Sequence, residues 1–347
     1  MRNSEKDYFN PSFSHIYVEK EVRSHPRARR ILERFSRARV IEIDHYKDVF
    51  CRSRQNYILQ QRSRKLILAA NRGNRIYGGA PVCQSFGNEN FYYTSCMMNC
   101  LYDCEYCYLK GMYPSGNMVI FVNLEDFFED IREILKERSV YLCLSYDTDM
   151  MAVERITGYV EEWIRFVEEQ VRQGRELKVE IRTKSADGRF WQQNDPVPGV
   201  IYGITLSPQA VIDAYEHKTP SLKQRIASAG EALAGGFSVR LCFDPMICLA
   251  DWQRHYGEML RQVFAEIDMQ KLEDVSVGTF RVSQDYLKKM RRLQPGSAVV
   301  QYPYRNDGGV YHYSAELTEK MERFLAGCLR EKMPEAKIFL WENKEKV

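Results

Sequence analysis

The sequence has 347 residues, of which 44% are hydrophobic and 28% are charged, a balance typical of a soluble globular protein and not of a disordered one. No apolar run approaches the roughly 20 residues that a membrane-spanning helix needs. Residues 1–11 are polar and lack the apolar core of a secretory signal, so we expect a cytoplasmic protein whose ten cysteines are thiols or metal ligands.

Residues 1–85 are predicted to be a basic extension that packs on the domain that follows. They carry 18 basic against 8 acidic residues, although the net charge of the whole chain is only +3. Apolar residues recur at intervals of three and four between positions 25 and 35, which predicts a helix there. Its arginines would either bind a polyanion such as nucleic acid or form a solvated helix face without a partner. These arginines are Arg27, Arg29, Arg30, Arg34 and Arg37.

From about residue 90, short apolar strands alternate with amphipathic helices. Strands are predicted at 91–95, 118–122, 140–146, 177–183, 200–207, 238–245 and 275–282. Helices are predicted at 124–137, 153–173, 222–234, 252–269 and 284–293. This alternation indicates an α/β domain over residues 86–295 with a parallel sheet, either doubly wound or a full or partial barrel. In a barrel, we expect the chemistry at the carboxyl ends of the strands.

Residues 296–347 depart from this alternation. The stretches 299–304 and 310–313 flank a turn rich in Asn, Asp and Gly at 305–309, which predicts a β-hairpin. A last helix and strand are predicted after it, at 316–330 and 338–341.

Tyrosines at period two on the predicted hairpin favour a contact with nucleic acid. An enzyme that extrudes a base from a duplex can stack aromatic side chains on that base or fill the gap it leaves. A tyrosine ladder packed against the barrel would have the same spacing, so both interpretations stay open. The residues that we expect to contact nucleic acid are Tyr304, Arg305, Tyr311 and Arg281.

A cysteine-rich run follows the first predicted strand of the α/β domain. Cys100, Cys104 and Cys107 form the pattern C-x3-C-x2-C, and three thiolates so spaced can ligate three irons of a [4Fe-4S] cube and leave the fourth iron open. A zinc site that adds Cys96 is the alternative, but zinc ligands usually come as pairs from separated turns. We therefore favour the cluster.

This run resembles the signature of the radical S-adenosylmethionine (SAM) superfamily, in which an aromatic residue, here Tyr106, precedes the last cysteine. The resemblance implies that the open iron binds SAM, and that one electron from the cluster cleaves SAM to methionine and a 5′-deoxyadenosyl radical. It implies two cofactors, the [4Fe-4S] cluster and SAM, and an electron donor such as flavodoxin or ferredoxin. The cofactors supply the reactive chemistry, while the protein supplies binding and orientation.

Within the superfamily, the chain resembles the spore photoproduct lyase family from about residue 13 to residue 341. The resemblance implies a partial (βα)6 barrel and the repair of a thymine dimer, 5-thyminyl-5,6-dihydrothymine, in DNA. The radical is expected to take a hydrogen atom from C6 of the dihydrothymine, after which the bond between the bases breaks and a hydrogen atom is returned. The matching motifs lie at 104–109, 118–126, 148–149, 182–184, 203–207 and 310–313.

The same resemblance assigns roles to single residues. Tyr106 and Tyr108 match aromatic residues beside the cluster. Asp149 and Lys184 fall where the family contacts SAM, although together with Arg182 they could form an ordinary ion-pair network at a barrel mouth. The full set expected to bind SAM is Tyr106, Thr148, Asp149, Lys184, Thr205 and Ser207.

One position departs from the family. The hydrogen-donating cysteine of the family corresponds to Tyr146, and the nearest thiol, Cys143, would point to the opposite face of a regular strand. Tyr146 could relay the hydrogen atom, a bend could bring Cys143 inward, or the chemistry could have diverged. A buried and inert Cys143 is the plain alternative for that thiol. The residues expected to act in catalysis are Tyr146, Tyr108 and Cys143.

Three functions are therefore weighed. The first is a photoproduct lyase that acts on damaged DNA. The second is a radical SAM enzyme of the same family with another substrate, such as a modified nucleic acid, a peptide or a metabolite. The third is a non-catalytic nucleic-acid-binding protein stabilised by zinc. No membrane association is expected for any of the three.

Overall fold

The N-terminal part of the chain contributes three parallel strands. The computed structural model describes residues 11–80, 83–144 and 146–341. The predicted helix at 25–35 is confirmed as α1, which starts with a proline at its first position, where a missing N–H costs nothing. In chain order this part contains β1 (His15–Glu19), α1 (Pro26–Arg34), β2 (Arg39–Ile43), α2 (Lys47–Phe50), α3 (Tyr57–Arg62), β3 (Leu66–Ala69) and β4 (Ile76–Gly78).

The central part alternates strands and helices. It begins with β5 (Phe91–Thr94), β6 (Met97–Met98), β7 (Asp103–Cys104), α4 (Leu109–Met112), β8 (Met118–Phe121), α5 (Leu124–Leu135), β9 (Val140–Cys143), α6 (Glu154–Thr157), α7 (Tyr159–Arg172) and β10 (Leu177–Thr183). It continues with α8 (Gly188–Gln193), β11 (Val200–Thr205), α9 (Gln209–Tyr215), β12 (Glu216–His217), α10 (Leu222–Ala234), β13 (Ser238–Met246), α11 (Trp252–Glu266) and β14 (Asp274–Thr279).

The C-terminal part adds a small antiparallel sheet and a long helix. Its elements are β15 (Arg281–Ser283), α12 (Gln284–Leu293), α13 (Ala298–Gln301), β16 (Arg305–Asp307), β17 (Val310–His312), α14 (Ala315–Arg330) and β18 (Ile338–Leu340). α14 packs against β14 and β18, so the end of the chain covers one edge of the main sheet.

Six strands of the central part form a parallel sheet in chain order, β5-β9-β10-β11-β13-β14. Helices connect these strands, as parallel crossovers require. β18 adds a further parallel strand at one edge, and β4 adds an antiparallel strand at the other. The α/β class and the six-stranded partial barrel are therefore confirmed. In a sheet of this kind the loops after the strands meet at one edge, where a site is expected.

One predicted strand belongs to a different sheet. β8, predicted at 118–122, pairs with β3 and with the short β6, and it completes a five-stranded sheet in the order β2-β1-β3-β8-β6. Every residue of β3 and β8 is buried, as in strands that are covered on both faces. Strands from residues 15–69 and from residues 118–121, on either side of the C-x3-C-x2-C run, therefore share one sheet. The domain boundary at residue 85 stays a prediction.

The basic helix α1 is tied to the central part by ion pairs. Arg27 lies 2.5 Å from a carboxylate oxygen of Glu125 and 2.7 Å from one of Glu162. Arg30 also pairs with Glu162, at 3.2 Å. Part of the positive charge of the N-terminal region is therefore neutralised inside the molecule and is not available to a polyanion.

The predicted helix at 153–173 is two helices, because Gly158 between α6 and α7 adopts a left-handed φ of 64°. The carboxylate of Glu154 accepts hydrogen bonds from the backbone N–H groups of Val160 and Glu161, at 2.7 and 3.1 Å. It thus satisfies two N–H groups that the start of α7 would leave free. No helix in the described parts of the chain is long and apolar enough to cross a membrane.

The C-terminal hairpin is shorter than predicted and shifted along the chain. Its strands are β16 and β17, joined by Gly308 and Gly309 with φ values of 57° and 84°, and β15 pairs with the other side of β17. The strand predicted at 299–304 is wrong, because residues 298–301 form α13, whose N-cap Ser297 accepts a hydrogen bond from a backbone N–H of the first turn. Tyr302 and Tyr304 therefore lie outside the hairpin.

Candidate active site

The loop that follows β5 carries the three cysteines of the C-x3-C-x2-C pattern and is fixed by backbone contacts. β7 ends at Cys104 and pairs antiparallel with β12, so that Cys104 lies opposite Glu216. Beside this pair, the backbone N–H of Glu105 donates to the carbonyl of Tyr215 at 2.8 Å. The loop is therefore attached to a segment that lies far along the chain, after β11.

Side chains from two further elements hold the same loop. Asn99 has a φ of 67°, and its amide group donates to two carbonyls of the segment after α4, at 2.7 and 2.6 Å. Its Oδ1 accepts from the hydroxyl of Tyr57 on α3, at 3.2 Å. From the other side, Gln294 donates to the carbonyl of Glu105 at 2.9 Å and accepts from the buried Lys110 at 3.0 Å. The loop is thus enclosed between α3 and the end of α12.

The thiols of Cys100, Cys104 and Cys107 are neighbours of one another. The backbone N–H of Cys107 donates to the carbonyl of Cys104 at 3.2 Å, and Cys100 and Cys107 pack against the apolar cluster that contains Cys104 and Tyr106. Burial raises the pKa of Cys100 to about 12 and that of Cys104 well above its usual value. Cys96 lies apart, because it is fully buried in the core with its Sγ 4.0 Å from the sulfur of Met150. The cysteines of the pattern are therefore together, and the fourth ligand of the zinc alternative is not with them.

The surroundings of the three thiols fit a negatively charged cluster with a small-molecule ligand. The ammonium group of Lys184 lies 5.8 Å from the ring centroid of Tyr106. Burial raises the pKa of Cys104 and Cys107, and the positive charge of Lys184 partly opposes this rise. Thr148 Oγ1 is buried and has no hydrogen-bond partner among the described residues, as expected for a group that binds a ligand. No three His, Cys, Asp or Glu side chains in the described ranges converge as ligands of one ion, whereas in a [4Fe-4S] cube each thiolate binds its own iron.

A buried ion pair holds Tyr106 and Ser207 beside the cysteines. Arg225 lies 2.5 Å from Glu216, and both side chains are fully buried. The other carboxylate oxygen of Glu216 accepts from the hydroxyl of Tyr106 and, at 2.7 Å, from that of Ser207. Burial alone would raise the pKa of Glu216, but the charges of Arg225 and Lys184 outweigh burial and lower this pKa to about 2. Tyr106 and Ser207 are therefore positioned by a carboxylate that stays ionised.

Asp149 joins the loop after β9 to the end of β10. Its carboxylate accepts from the hydroxyl of Thr183 and from the backbone N–H of Lys184, both at 2.7 Å, and from a backbone N–H of the following turn at 3.1 Å. These bonds place Thr148 and Lys184 at the carboxyl end of the sheet, where the neighbouring strand β11 ends with the buried Thr205. The residues expected to contact SAM therefore lie at the same edge as the cysteines.

The sequence left open that Asp149 belongs to an ion-pair network with Arg182 and Lys184. The buried ion-pair network of the sheet is instead formed around Glu180 and Arg240. Arg182 pairs with Glu180 at 2.7 Å, and the second oxygen of Glu180 lies 2.8 Å from Arg240. Arg240 also pairs with Asp274 on the next strand. Charged side chains thus link β10 to β13 across the intervening β11, and β13 to β14, while Asp149 is satisfied by uncharged donors.

Tyr146 lies beside a thiol that no sequence motif indicates, Cys83. Its hydroxyl is 3.4 Å from the Sγ of Cys83, and its ring stacks on that of Tyr93 with centroids 4.2 Å apart. The hydroxyl of Tyr108 donates to the carbonyl of Tyr146. Burial and then the charge of Cys83 raise the pKa of Tyr146. One thiol and three phenols therefore meet in one region, and Cys143 ends β9 three residues before Tyr146.

The strand predicted at 140–146 is shorter than expected, so the argument that Cys143 and Tyr146 point to opposite faces does not apply. β9 ends at Cys143, so Tyr146 is on irregular backbone, to which the alternation of a strand does not apply. Cys83 was missed because it lies in an irregular segment after β4 and belongs to no motif. Only its contact in three dimensions identifies it.

Three of the residues expected at nucleic acid lie on or beside the small C-terminal sheet. Arg305 is exposed on β16. Tyr311 on β17 is half-buried, with the guanidinium carbon of Arg291 5.4 Å from its ring centroid. Arg281 forms two hydrogen bonds to the carboxylate of Asp244, at 3.0 and 2.9 Å. Arg305 and Tyr311 are accessible to a ligand, whereas Arg281 is held by a carboxylate.

The fourth of these residues, Tyr304, is inside the protein and not on the face of a hairpin. It is only 7% exposed, and its hydroxyl donates to the carbonyl of Val299 at 2.7 Å. Its ring packs against Phe280 and Tyr313, with both centroids 5.1 Å away, and Tyr302 completes the group. The expectation that Tyr304 faces nucleic acid is corrected, because residues 299–304 do not form a strand.

Comparison with known proteins identifies a family over most of the chain. The model of the family described as spore photoproduct lyase matches residues 89–341. A spore photoproduct lyase of Clostridium acetobutylicum is 27% identical over 182 residues, which cover 50% of this chain and 52% of that relative. The match thus spans about half the length of the relative.

Solved structures share the fold. A spore photoproduct lyase complexed with dinucleoside spore photoproduct has a TM-score of 0.79 at 16% identity, over 96% of this chain and 99% of that one. A double mutant with bound AdoMet and dinucleoside spore photoproduct has a TM-score of 0.77 at 17% identity, with the same coverage. Because the family model matches well over half of this chain, the chain belongs to the spore photoproduct lyase family.

Proposed function

We propose that this chain is a radical SAM lyase that reverses the thymine dimer 5-thyminyl-5,6-dihydrothymine in DNA. The observation that carries the proposal is the meeting of Cys100, Cys104 and Cys107 at the carboxyl edge of a six-stranded parallel sheet, in a member of the spore photoproduct lyase family. The relatives described as holding AdoMet and dinucleoside spore photoproduct support the cofactor and the substrate class.

In this proposal the three thiolates hold a [4Fe-4S] cluster, and the residues around them bind SAM. When bound, the cluster supplies the electron for the cleavage of SAM to a radical that takes a hydrogen atom from C6 of the dimer. Lys184 places a positive charge where the carboxylate of SAM would bind, and the unsatisfied hydroxyl of Thr148 offers a hydrogen bond. The SAM-binding set is Tyr106, Thr148, Asp149, Lys184, Thr205 and Ser207.

We assign the return of the hydrogen atom to Cys83 and Tyr146 acting as a pair. A product radical must find a donor within contact distance before side reactions consume it. Tyr146 occupies the position of the family's donor, and the Sγ of Cys83 lies 3.4 Å from its hydroxyl. A thiol from another segment thus stands beside the phenol that replaces the family cysteine. Tyr108 donates to the backbone carbonyl of Tyr146, and Cys143, three residues earlier in the chain, is the further candidate thiol.

The proposal includes two macromolecular partners. Damaged DNA is the substrate, with Arg305 and Tyr311 as candidate contacts on the exposed C-terminal sheet. A one-electron carrier such as flavodoxin or ferredoxin reduces the cluster. We also propose a cytoplasmic location, because a cluster held by three of the ten cysteines, and free thiols at the others, need a reducing compartment.

Anaerobic reconstitution followed by turnover of a dinucleotide photoproduct tests this function. With dithionite as reductant, we expect SAM-dependent conversion of the photoproduct to two thymines. Intact dithymidine is the control and is expected to remain unchanged. An iron-loaded protein that cleaves SAM but leaves the dimer intact would contradict the lyase assignment.

The second candidate is a radical SAM enzyme of the same family with another substrate. The phenol at position 146 favours it, since the family uses a thiol there. The same assay separates the two candidates, because SAM cleavage that is not stimulated by the photoproduct is the result expected for the second candidate.

A further inference from the structure

A shallow groove of about 520 Å³ lies on the outside of the cysteine loop, between α3 and the end of α12. Its polar lining contains three arginines, and its apolar lining contains Ile58, Leu59 and Leu293. The arginines, Arg54, Arg62 and Arg292, are all exposed. We call this surface the cationic groove.

The charges of the cationic groove are not neutralised within the protein. In the described parts of the chain, none of its three arginines forms an ion pair. Other arginines of the N-terminal region are paired, as Arg72 is with Glu19 at 3.0 Å. A surface with uncompensated positive charge attracts an acidic partner and accelerates its association.

The middle of the groove is apolar. Leu59 is 58% exposed, which is the largest exposed fraction among the large hydrophobic side chains of the described residues. Ile58 and Leu293 are half-buried beside it. An apolar centre surrounded by arginines is the composition of protein–protein interfaces, in which arginine is enriched and the rim is polar.

Both walls of the groove contact the cysteine loop directly. Tyr57, between the groove residues Asn56 and Ile58, is buried and donates to Asn99 of the loop at 3.2 Å. Asn99 directly precedes Cys100 in the loop. On the other wall, the residue after Leu293 donates to the loop backbone at 2.9 Å. One layer of side chains therefore separates the groove from the cysteines.

We propose that the cationic groove is the docking site of an acidic one-electron carrier protein of the flavodoxin or ferredoxin type, which rests on the proposed function. One electron passes from the reduced carrier to the cluster across the layer that contains Tyr57, and no bond forms or breaks. Electron transfer between proteins needs a short path but only a small interface, and the groove offers both. A DNA backbone would need the arginines but would leave the exposed Leu59 without a role.

A charge-reversal variant tests the docking site. Arg54→Glu, Arg62→Glu and Arg292→Glu are combined in one protein, and the matched control reverses Arg29, Lys223 and Arg37, which are exposed elsewhere. Binding of a purified bacterial flavodoxin to the protein is measured by calorimetry at low salt, and cluster reduction by reduced flavodoxin is followed spectroscopically. We expect the groove variant to bind flavodoxin about tenfold more weakly or worse, and the control to bind nearly as tightly as the wild type.

Dithionite-driven SAM cleavage separates this proposal from the function on which it rests. We expect the groove variant to cleave SAM with dithionite at the wild-type rate and to lose only the flavodoxin-driven reaction. Leu59→Ser should weaken flavodoxin binding without a change in net charge. The docking proposal is overturned if flavodoxin binds the groove variant as tightly as the control, or if the groove variant loses only duplex DNA affinity. Failure of dithionite to drive cleavage by the wild type instead overturns the proposed function, and flavodoxin binding still decides the docking site.

Discussion

The distinction between Cys96 and the other three cysteines of the loop can be tested one residue at a time. We expect Cys100→Ala, Cys104→Ala and Cys107→Ala each to remove the cluster, because each deletes the ligand of one iron. Cys96→Ala should keep it, since this thiol packs against Met150 in the core. Iron analysis and the visible spectrum of anaerobically purified protein give the readout, with about four irons expected in the wild type. A loss of iron in Cys96→Ala with retained folding would contradict this prediction.

The pair Cys83 and Tyr146 gives a second prediction at the level of residues. Tyr146→Phe and Cys83→Ala should both cleave SAM but return hydrogen poorly, giving less repaired thymine and more aberrant adduct per SAM consumed. Cys143→Ala should change the products little, and Cys328→Ala on α14 is the control thiol. Because S–H and O–H hydrogens exchange with solvent, enzyme equilibrated in D2O should pass deuterium to the wild-type product.

The outcomes of these substitutions discriminate between donors. If Cys143→Ala is impaired while Tyr146→Phe and Cys83→Ala are normal, the thiol at the end of β9 is the donor. Unchanged products in all three variants would place the donor elsewhere in the site.

Among the elements, helix α7 is capped at its start by a carboxyl group whose protonation should make the stability of the protein depend on pH. Burial raises the pKa of Glu154, which caps this helix, to about 7, although the N–H groups of Val160 and Glu161 oppose the shift. The folded state therefore holds a proton that the unfolded state has released above pH 4.5. Stability should fall as pH rises from about 5 to 7, by at most about 1.4 kcal/mol per pH unit from this group.

Glu154→Gln should remove this part of the pH dependence and keep a carbonyl oxygen for the cap. Thermal unfolding from pH 5 to 7.5 is the measurement, and a flatter profile of Tm is the expected result. Glu322 is the matched control, because burial raises its pKa to about 7 as well and Glu322→Gln should remove a separate contribution. A Glu154→Gln profile as steep as that of the wild type would show that the carboxylate is ionised throughout.

Elements with a regular pattern were predictable from the sequence, and those defined by tertiary contacts were not. The strand at 200–207 was found because a buried parallel strand is a continuous apolar run between helices, and the strand at 177–183 because Leu177, Val179 and Ile181 alternate with polar residues. A continuous apolar run also predicted the strand β8 but not its sheet, since β8 pairs with β3, where no strand was predicted. The segment 299–304 was predicted to be a strand because its tyrosines, Tyr302 and Tyr304, are two residues apart. The same spacing is found here in a short helix followed by two packed rings, so spacing alone does not distinguish the two structures.

At the scale of the whole molecule, the distribution of charge predicts a salt-dependent interaction with DNA. We expect affinity for duplex DNA to fall steeply as salt is raised, because phosphate contacts release counterions. Arg305→Ala combined with Tyr311→Ala should reduce the preference for damaged over intact duplex more than it reduces overall affinity. Lys320→Ala on α14 is the control for loss of a surface charge. The measurement is fluorescence anisotropy with both duplexes at several salt concentrations.

Composition predicted the net charge of the N-terminal region but not which of its charged side chains form ion pairs. The sequence predicted that this region is basic, but a net positive charge does not identify the arginines that are free to bind a partner. Arg27 and Arg30 are paired with Glu162, whereas Arg54 and Arg62 are not paired in the parts of the chain that are described. The site was predictable where a motif fixes the spacing, as for the three cysteines. Cys83 could not be found, because it meets Tyr146 only after the chain has folded.

The pairing of β7 with β12 has a consequence for how the protein is made. Cys104 is held opposite Glu216, and the partner of Glu216 is Arg225 on the following helix. In a nascent chain that has emerged from the ribosome only as far as α9, Asn99 could already hold one end of the loop, but Cys104 would lack its pairing with β12. Iron and sulfide delivered at that stage would meet a Cys104 whose position is not yet fixed. We therefore expect the cellular assembly machinery to load the cluster only after translation has passed α10.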